Sequence, residues 1–251
     1  MKRRLFAPLV LPLALAGLLL AADRGRPGPS GPNAPMSEAE VKKLTGDWEG
    51  ARLSRDVRIL WLAGPEDHGG GEHDYIRVKE MFVPLLKKVP RVTVEEAFLF
   101  PTEEQFERAD LLIQYLHLPD LTDGQFALFQ DFVEGGGAVV SIHESCIMRP
   151  VERAEKLADC IGCSWKGNKE SRWSKFGHDH PLYLDTGHPA FAGLPKSVRL
   201  NDESYWNLLA RKDVSVIGAV APQDKVKGAS FEEVLASDGV RSDAFWTYQP
   251  G

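Results

Sequence analysis

The sequence predicts an α/β fold: a flavodoxin-like three-layer sandwich with a mostly parallel central sheet between helices. Three observations predict it. Short apolar runs bounded by turn residues alternate with segments whose apolar positions recur at helical spacing. Two Thr-x-x-Gln boxes, Thr102 to Gln105 and Thr122 to Gln125, each open a helix between two such runs. The run AVVSI at 138–142 follows Gly135-Gly136-Gly137 and ends abruptly in His143-Glu144-Ser145. An apolar strand that breaks into polar residues is where open α/β sheets carry chemistry, outside the carboxyl ends of their strands.

The chain begins Met1-Lys2-Arg3-Arg4, then runs from Leu5 to Ala22 without a charge. A basic start, an apolar middle and the small residues Ala21-Ala22 form an export signal, either cleaved or kept as an N-terminal anchor. Leu20 stands where cleavage prefers a small residue, and Pro8 and Pro12 disfavour a spanning helix. The expected location is exported, periplasmic or attached to the cell envelope. Residues 23–54 read as a Pro/Gly linker with a short helix. The linker is DRGRPGPSGPNAPM, the helix starts at the box Ser37-Glu38-Ala39-Glu40, and Trp48 docks the segment. Residues 55–251 are long enough for one domain.

Within that domain, VRILWLA at 57–63 predicts a first buried strand. A helix from about Asp74 to Lys88 carries Tyr75, Val78, Phe82, Leu85 and Leu86 on one face, with Pro84 expected to kink it. Strands are predicted at Val92 to Phe98 and Ala109 to Leu116. The helix after Thr122 shows Phe126, Phe129, Phe132 and Val133 on one face and ends at the glycines. The run 138–142 then reads as the central parallel strand, and the turn after it resembles a nucleophile elbow with His143 in the nucleophile's place. Further on, Val151 to Ile161 predicts a helix, and Val214 to Val220 and Ala244 to Tyr248 predict strands. The last of these leaves an unprotected edge.

The formal net charge is −6. Residues 1–22 hold three positive charges and no negative one, so without them the charge is three lower, at −9. That balance disfavours nucleic acid and anionic lipid as partners, leaving only the N-terminal segment for membrane contact. The cysteines are Cys146, Cys160 and Cys163. A single Cys-x-x-Cys at a helix end is a weak zinc signal and lacks a thioredoxin-like context, so a structural role is expected. Cys146 lies three residues past the elbow position, which makes it a poor nucleophile.

Four polar clusters remain. The loop PEDHGGGEHDY carries His68, His73 and Asp74, and its glycines permit close backbone approach to a ligand. It is neither a Walker loop nor GxGxxG. The others are His143-Glu144, the run Phe176-Gly177-His178-Asp179-His180, and Asp202-Glu203-Ser204-Tyr205-Trp206. Histidines beside carboxylates suit acid–base work near neutral pH or a divalent metal. The bland readings are a hydrogen-bonded strand-end histidine at 143, turn caps at His178 and His180, a turn at His188-Pro189 and a solvated pair at Asp202-Glu203. Trp173, Tyr205 and Trp206 form either core or a platform for a sugar ring.

GGGEHDY, the run LTDGQFALFQDFVEGGGAVVSIHES and GHDHPLYLDTGHPAFAGLPKSVRLNDESYW together resemble the ThuA-like (trehalose-utilisation) family. The resemblance covers residues 55–251. It implies a class I glutamine-amidotransferase-like fold, with His143 where amidotransferases place Cys, and hence no glutamine hydrolysis. Glu144 departs from the small residue that usually follows the histidine. The family continues beyond Trp246 into another strand and a His-containing loop, so the domain is expected to be truncated at its C-terminus. The resemblance implies that the exported chain acts on or binds sugars: trehalose or related disaccharides, oxidised ones among them. His143 would be the central acid/base, completed by His73 and Glu203, with Glu144, Asp74, His178, Asp202 and Tyr205 as substrate contacts. The alternatives are a non-catalytic carbohydrate-binding module, or a metal-dependent hydrolase that uses His73, His143 and Glu203 as ligands. Cofactor content beyond a divalent metal, and oligomeric state, are left open.

Overall fold

The computed structural model describes residues 53–69, 73–117, 121–149, 151–175, 181–191, 193–199, 203–220, 230–236 and 242–250. The export segment, the linker, the box at 37–40 and Trp48 lie outside them, as do His178, His180 and Asp202.

The first half is a doubly wound sheet. Strand β1 (Val57–Ala63) leads to α1 (Tyr75–Leu86), β2 (Val92–Phe98), α2 (Glu103–Arg108), β3 (Leu111–Tyr115), α3 (Asp123–Glu134) and β4 (Ala138–Ser141). The four strands are parallel, in the order β2-β1-β3-β4. The chain steps one way from β1 to β2, then crosses back to β3 and on to β4. Right-handed crossovers therefore put α1 on one face and α2 and α3 on the other. The order reverses between β1 and β3, and that switch point opens a crevice at their carboxyl ends.

The helices form where the sequence supplies caps. Thr102 and Thr122 each accept from the backbone N–H three residues on, and Gln105 and Gln125 reach back to close both boxes. Helix α1 extends through Pro84, which is exposed near its end. Phe126, Phe129, Phe132 and Val133 bury one face of α3, as their spacing predicts.

One expectation is overturned. Residues 138–142 are not the central strand: among the described residues β4 pairs only with β3 and stands at the edge. Its residues are half-buried, whereas Ile59 to Ala63 and Leu111 to Ile113 are almost wholly enclosed. An apolar run signals a strand but does not encode its neighbours. Here the larger side chains of VRILWLA and LLIQY take the interior positions, and AVVS takes the outside.

The second half departs from the parallel pattern. After a 3₁₀ turn at His143–Cys146 and helix α4 (Ala154–Ile161) come β5 (Cys163–Ser164), β6 (Arg172–Lys175), β7 (Pro181–Leu184), β8 (Ser197–Arg199), β9 (Glu203–Trp206), β10 (Leu209–Ala210), β11 (Ser215–Val220), α5 (Phe231–Leu235) and β12 (Ser242–Thr247). Strands β12-β11-β7-β8 form an antiparallel sheet, and the pairs β10-β5 and β6-β9 are two-stranded ribbons. Among the described residues β12 pairs only with β11. One side of the antiparallel sheet buries Leu182, Leu184, Phe191, Ile217 and Val220, while Tyr183 and Ala219 pack with Phe231 and Val234. Among the described residues no helix is long and apolar enough to cross a membrane.

Candidate functional site

Three chain segments leave the parallel sheet at its carboxyl edge and meet. The loop after β1 brings Asp67, His68 and His73; the end of β3 brings His117; the turn after β4 brings His143 and Glu144. The ribbon strand β9 closes the group with Glu203 and Tyr205.

His143 is the first residue of the 3₁₀ turn and has φ +51°, a left-handed backbone that L residues adopt at a cost. Ser145 pins the bend: its hydroxyl donates to the Leu116 carbonyl at 2.8 Å and accepts from the Leu116 N–H at 3.0 Å. Gln114 donates to the Ser141 hydroxyl at 3.1 Å. These bonds hold β3 and the turn in register, and so fix His117 opposite Glu144.

The contacts are short. Nε2 of His143 lies 3.2 Å from Nε2 of His73, 3.2 Å from Oε1 of Glu203 and 3.4 Å from the Tyr205 hydroxyl. The Tyr205 ring stacks on His143 with centroids 4.8 Å apart, and Trp165 meets Tyr205 edge-on at 5.0 Å. The Tyr205 hydroxyl donates to Oε1 of Glu144 at 3.0 Å, and Oε2 of Glu144 takes Nδ1 of His117 at 2.5 Å. On the other side, Oδ1 of Asp67 receives Nδ1 of His68 at 2.7 Å, Nδ1 of His73 at 3.1 Å and the Tyr75 hydroxyl at 3.1 Å.

The carboxylates are ionised. Burial pushes the Glu144 carboxyl up, but hydrogen bonds from His117 and Tyr205 and the nearby His143 outweigh it and hold it below the usual range. The hydrogen bond with His143 lowers Glu203. Asp67 is raised by burial and lowered further by His68, His73 and Tyr75, for a net fall. Burial, then the neighbouring carboxylates, push both the Tyr75 and Tyr205 hydroxyls up, so both stay protonated donors.

An ionised Asp67 only accepts, so Nδ1 of His73 donates to it, while Nε2 of His73 faces Nε2 of His143 at 3.2 Å. Two imidazole nitrogens and a carboxylate oxygen thus face one another, an arrangement that needs a proton or a cation between them. His73, His143, Glu144 and Glu203 each offer a ligand atom, all within 4.8 Å of one another. Ligands about 2.0–2.1 Å from a tetrahedral ion lie about 3.3 Å apart, close to the 3.2 Å separations here. The Asp67 carboxylate behind His73 is the outer partner that metal-binding imidazoles usually have. The donor types, and the spacing about Nε2 of His143, therefore suit a divalent ion.

The profile of a protein family described as ThuA, trehalose utilisation, matches residues 66–240. The chain belongs to the ThuA family. That match covers every residue of the site just described. A ThuA-like protein from Bacteroides uniformis superposes with a TM-score of 0.52 at 15% identity, over 79% of this chain and 82% of that one, and so shares the fold. No curated protein matches the chain by sequence.

Of the residues singled out from the sequence, this ThuA domain brings together His73, His143, Glu144, Glu203 and Tyr205. Asp74 stands apart: it precedes α1, and its carboxylate takes Arg77 at 3.5 Å. Sequence reasoning missed Asp67 and His117. The rule that found His73 also reaches His117, because it follows a parallel strand at the switch point. Asp67 lies inside the glycine-rich loop already singled out, but nothing local marks it as the partner of three donors. Cys146, Cys160 and Cys163 are buried free thiols. Burial raises Cys146 and pushes Cys160 and Cys163 up to about 12, so all three are held as thiols.

Proposed function

We propose that this ThuA domain is an exported protein that acts on sugars, trehalose or related, oxidised disaccharides, at the centre formed by His73, His143 and Glu203. The observation that carries the reading is the meeting of two imidazoles and a carboxylate around Nε2 of His143, at the carboxyl edge of the sheet. His143 serves as the acid/base. Glu203 lies against its Nε2, Asp67 fixes His73 through Nδ1, and the Tyr205 hydroxyl stands 3.4 Å from the same nitrogen. Glu144 holds Tyr205 and His117 in place.

A second reading is favoured by the ligand-like spacing around Nε2 of His143: a metal-dependent hydrolase. His73, His143 and Glu203, with Glu144 beside them, would hold a divalent ion. A bound ion of this kind supplies Lewis acidity toward a carbonyl or hydroxyl oxygen and lowers the pKa of bound water. Export rests on the N-terminal pattern of Lys2-Arg3-Arg4 and Leu5 to Ala22.

Titration calorimetry with trehalose and keto-trehalose, alongside elemental analysis of the purified chain, tests both readings. Sugar binding or turnover that vanishes in His143→Ala supports the centre; a wild-type chain indifferent to every sugar overturns the sugar reading. Stoichiometric zinc or manganese that is lost in His73→Ala supports the metal reading, and a metal-free chain whose sugar turnover resists chelators overturns it. Glutamine hydrolysis is not expected, because the one cysteine near the elbow is buried as a thiol. Ammonia release that disappears in Cys146→Ala would refute that.

A further inference from the structure

We propose that Trp173 forms a second sugar subsite beside the His143 centre, taking the apolar face of the neighbouring ring of a disaccharide; this rests on the sugar reading above. Strands β6 and β9 pair antiparallel with Trp173 directly opposite Tyr205. Opposite residues in such a ladder project from the same face, and so do residues two apart on one strand. One face of the ribbon therefore carries Trp173, Tyr205 and Glu203. The other face is committed elsewhere: Ser204 bonds to the Ser242 hydroxyl, and Trp206 packs against the core of the antiparallel sheet.

The register thus fixes Trp173 on the side of the ribbon that faces the centre, and there it is 58% exposed. Single exposed aromatics are ordinary on protein surfaces. What sets Trp173 apart is its place one cross-strand step, about 5 Å, from Tyr205, whose hydroxyl touches both His143 and Glu144. That step is comparable to the length of one pyranose unit. An indole offers a flat, weakly hydrated surface with a polar N–H at its edge, suited to the C–H face of a sugar whose hydroxyls remain in water. The subsite would favour a disaccharide over a monosaccharide.

Calorimetry on the full chain with trehalose, keto-trehalose and glucose tests this. Trp173→Ala is expected to weaken the disaccharides about tenfold, the value of one good aromatic contact, and to leave glucose unchanged. Trp173→Phe should keep most of the affinity while removing part of the ligand-induced change in tryptophan fluorescence, and that reading does not depend on the alanine variant folding. Unchanged disaccharide affinity in Trp173→Ala, or unchanged fluorescence quenching in Trp173→Phe, overturns the subsite and leaves the sugar reading intact. Equal losses for glucose and trehalose also overturn it, because Trp173 would then line the first ring's site. If the wild type binds no sugar, both readings fall.

Discussion

His143 combines a strained backbone with the most connected nitrogen in the site. Its φ of +51° is tolerated because Ser145 and Gln114 fix the turn on either side. Replacing it separates strain from chemistry. Both His143→Ala and His143→Gly lose the imidazole and should lose ligand binding. The glycine variant should nevertheless be the more stable of the two, by about 1 kcal/mol in urea unfolding, because only glycine adopts a positive φ without cost. An alanine variant as stable as the glycine one would show that the bend stores no strain. The histidine itself was legible in the sequence as the polar end of an apolar run. Its partner Asp67 was not, because a carboxylate that organises three donors looks like any loop aspartate until the loop is folded.

Among the elements, the hairpin from α3 to β4 shows why the triple glycine is there. A Cβ on Gly137 would lie 2.3 Å from the Phe132 ring, which is buried at the end of α3. Gly137→Ala should therefore cost about 1–3 kcal/mol. Gly124, in the first turn of the same helix, has open space around its Cβ position. Gly124→Ala should be neutral or gain up to about 1 kcal/mol. Thermal melts of the pair check both, and equal effects would contradict the packing account. The same hairpin explains the misplaced strand. GGGAVVSI marks a strand after a tight turn, but its order in the sheet depends on where β3 lies.

At the scale of the molecule, Asp110 ties the start of β3 to the segment that enters β1. Its carboxylate accepts from the Arg58 backbone N–H at 2.9 Å and from the Arg58 side chain at 3.3 Å, with Arg55 at 3.1 Å. Burial raises its pKa, but the bonds from Arg58 and Arg55 outweigh burial, and the net shift is downward. A folded value below the unfolded one means the stabilisation is complete above the ordinary aspartate range near 4. It is lost as the pH falls from there through the lower folded value. Melting temperatures from pH 7 to pH 2 should show an acid limb that is shallower in Asp110→Asn, which is already destabilised at pH 7. Parallel wild-type and variant curves across that range would remove Asp110 as the acid anchor.

Local patterns in the sequence carry the doubly wound half: its strands, its two capping boxes, the buried face of α3, the loop that holds His73 and the strand end that leads to His143. Those features are local, since period, caps and turn residues act within a few positions. The edge position of β4 among the described strands, and the antiparallel run of the later ones, come from tertiary pairing. The tertiary structure alone shows that a two-stranded ribbon delivers Glu203 and Tyr205 to the centre while Asp67 and His117 stand behind it. These are pairings between residues far apart in the chain, as with His73 and His143 or Glu144 and Tyr205, and no local pattern carries a partner's address.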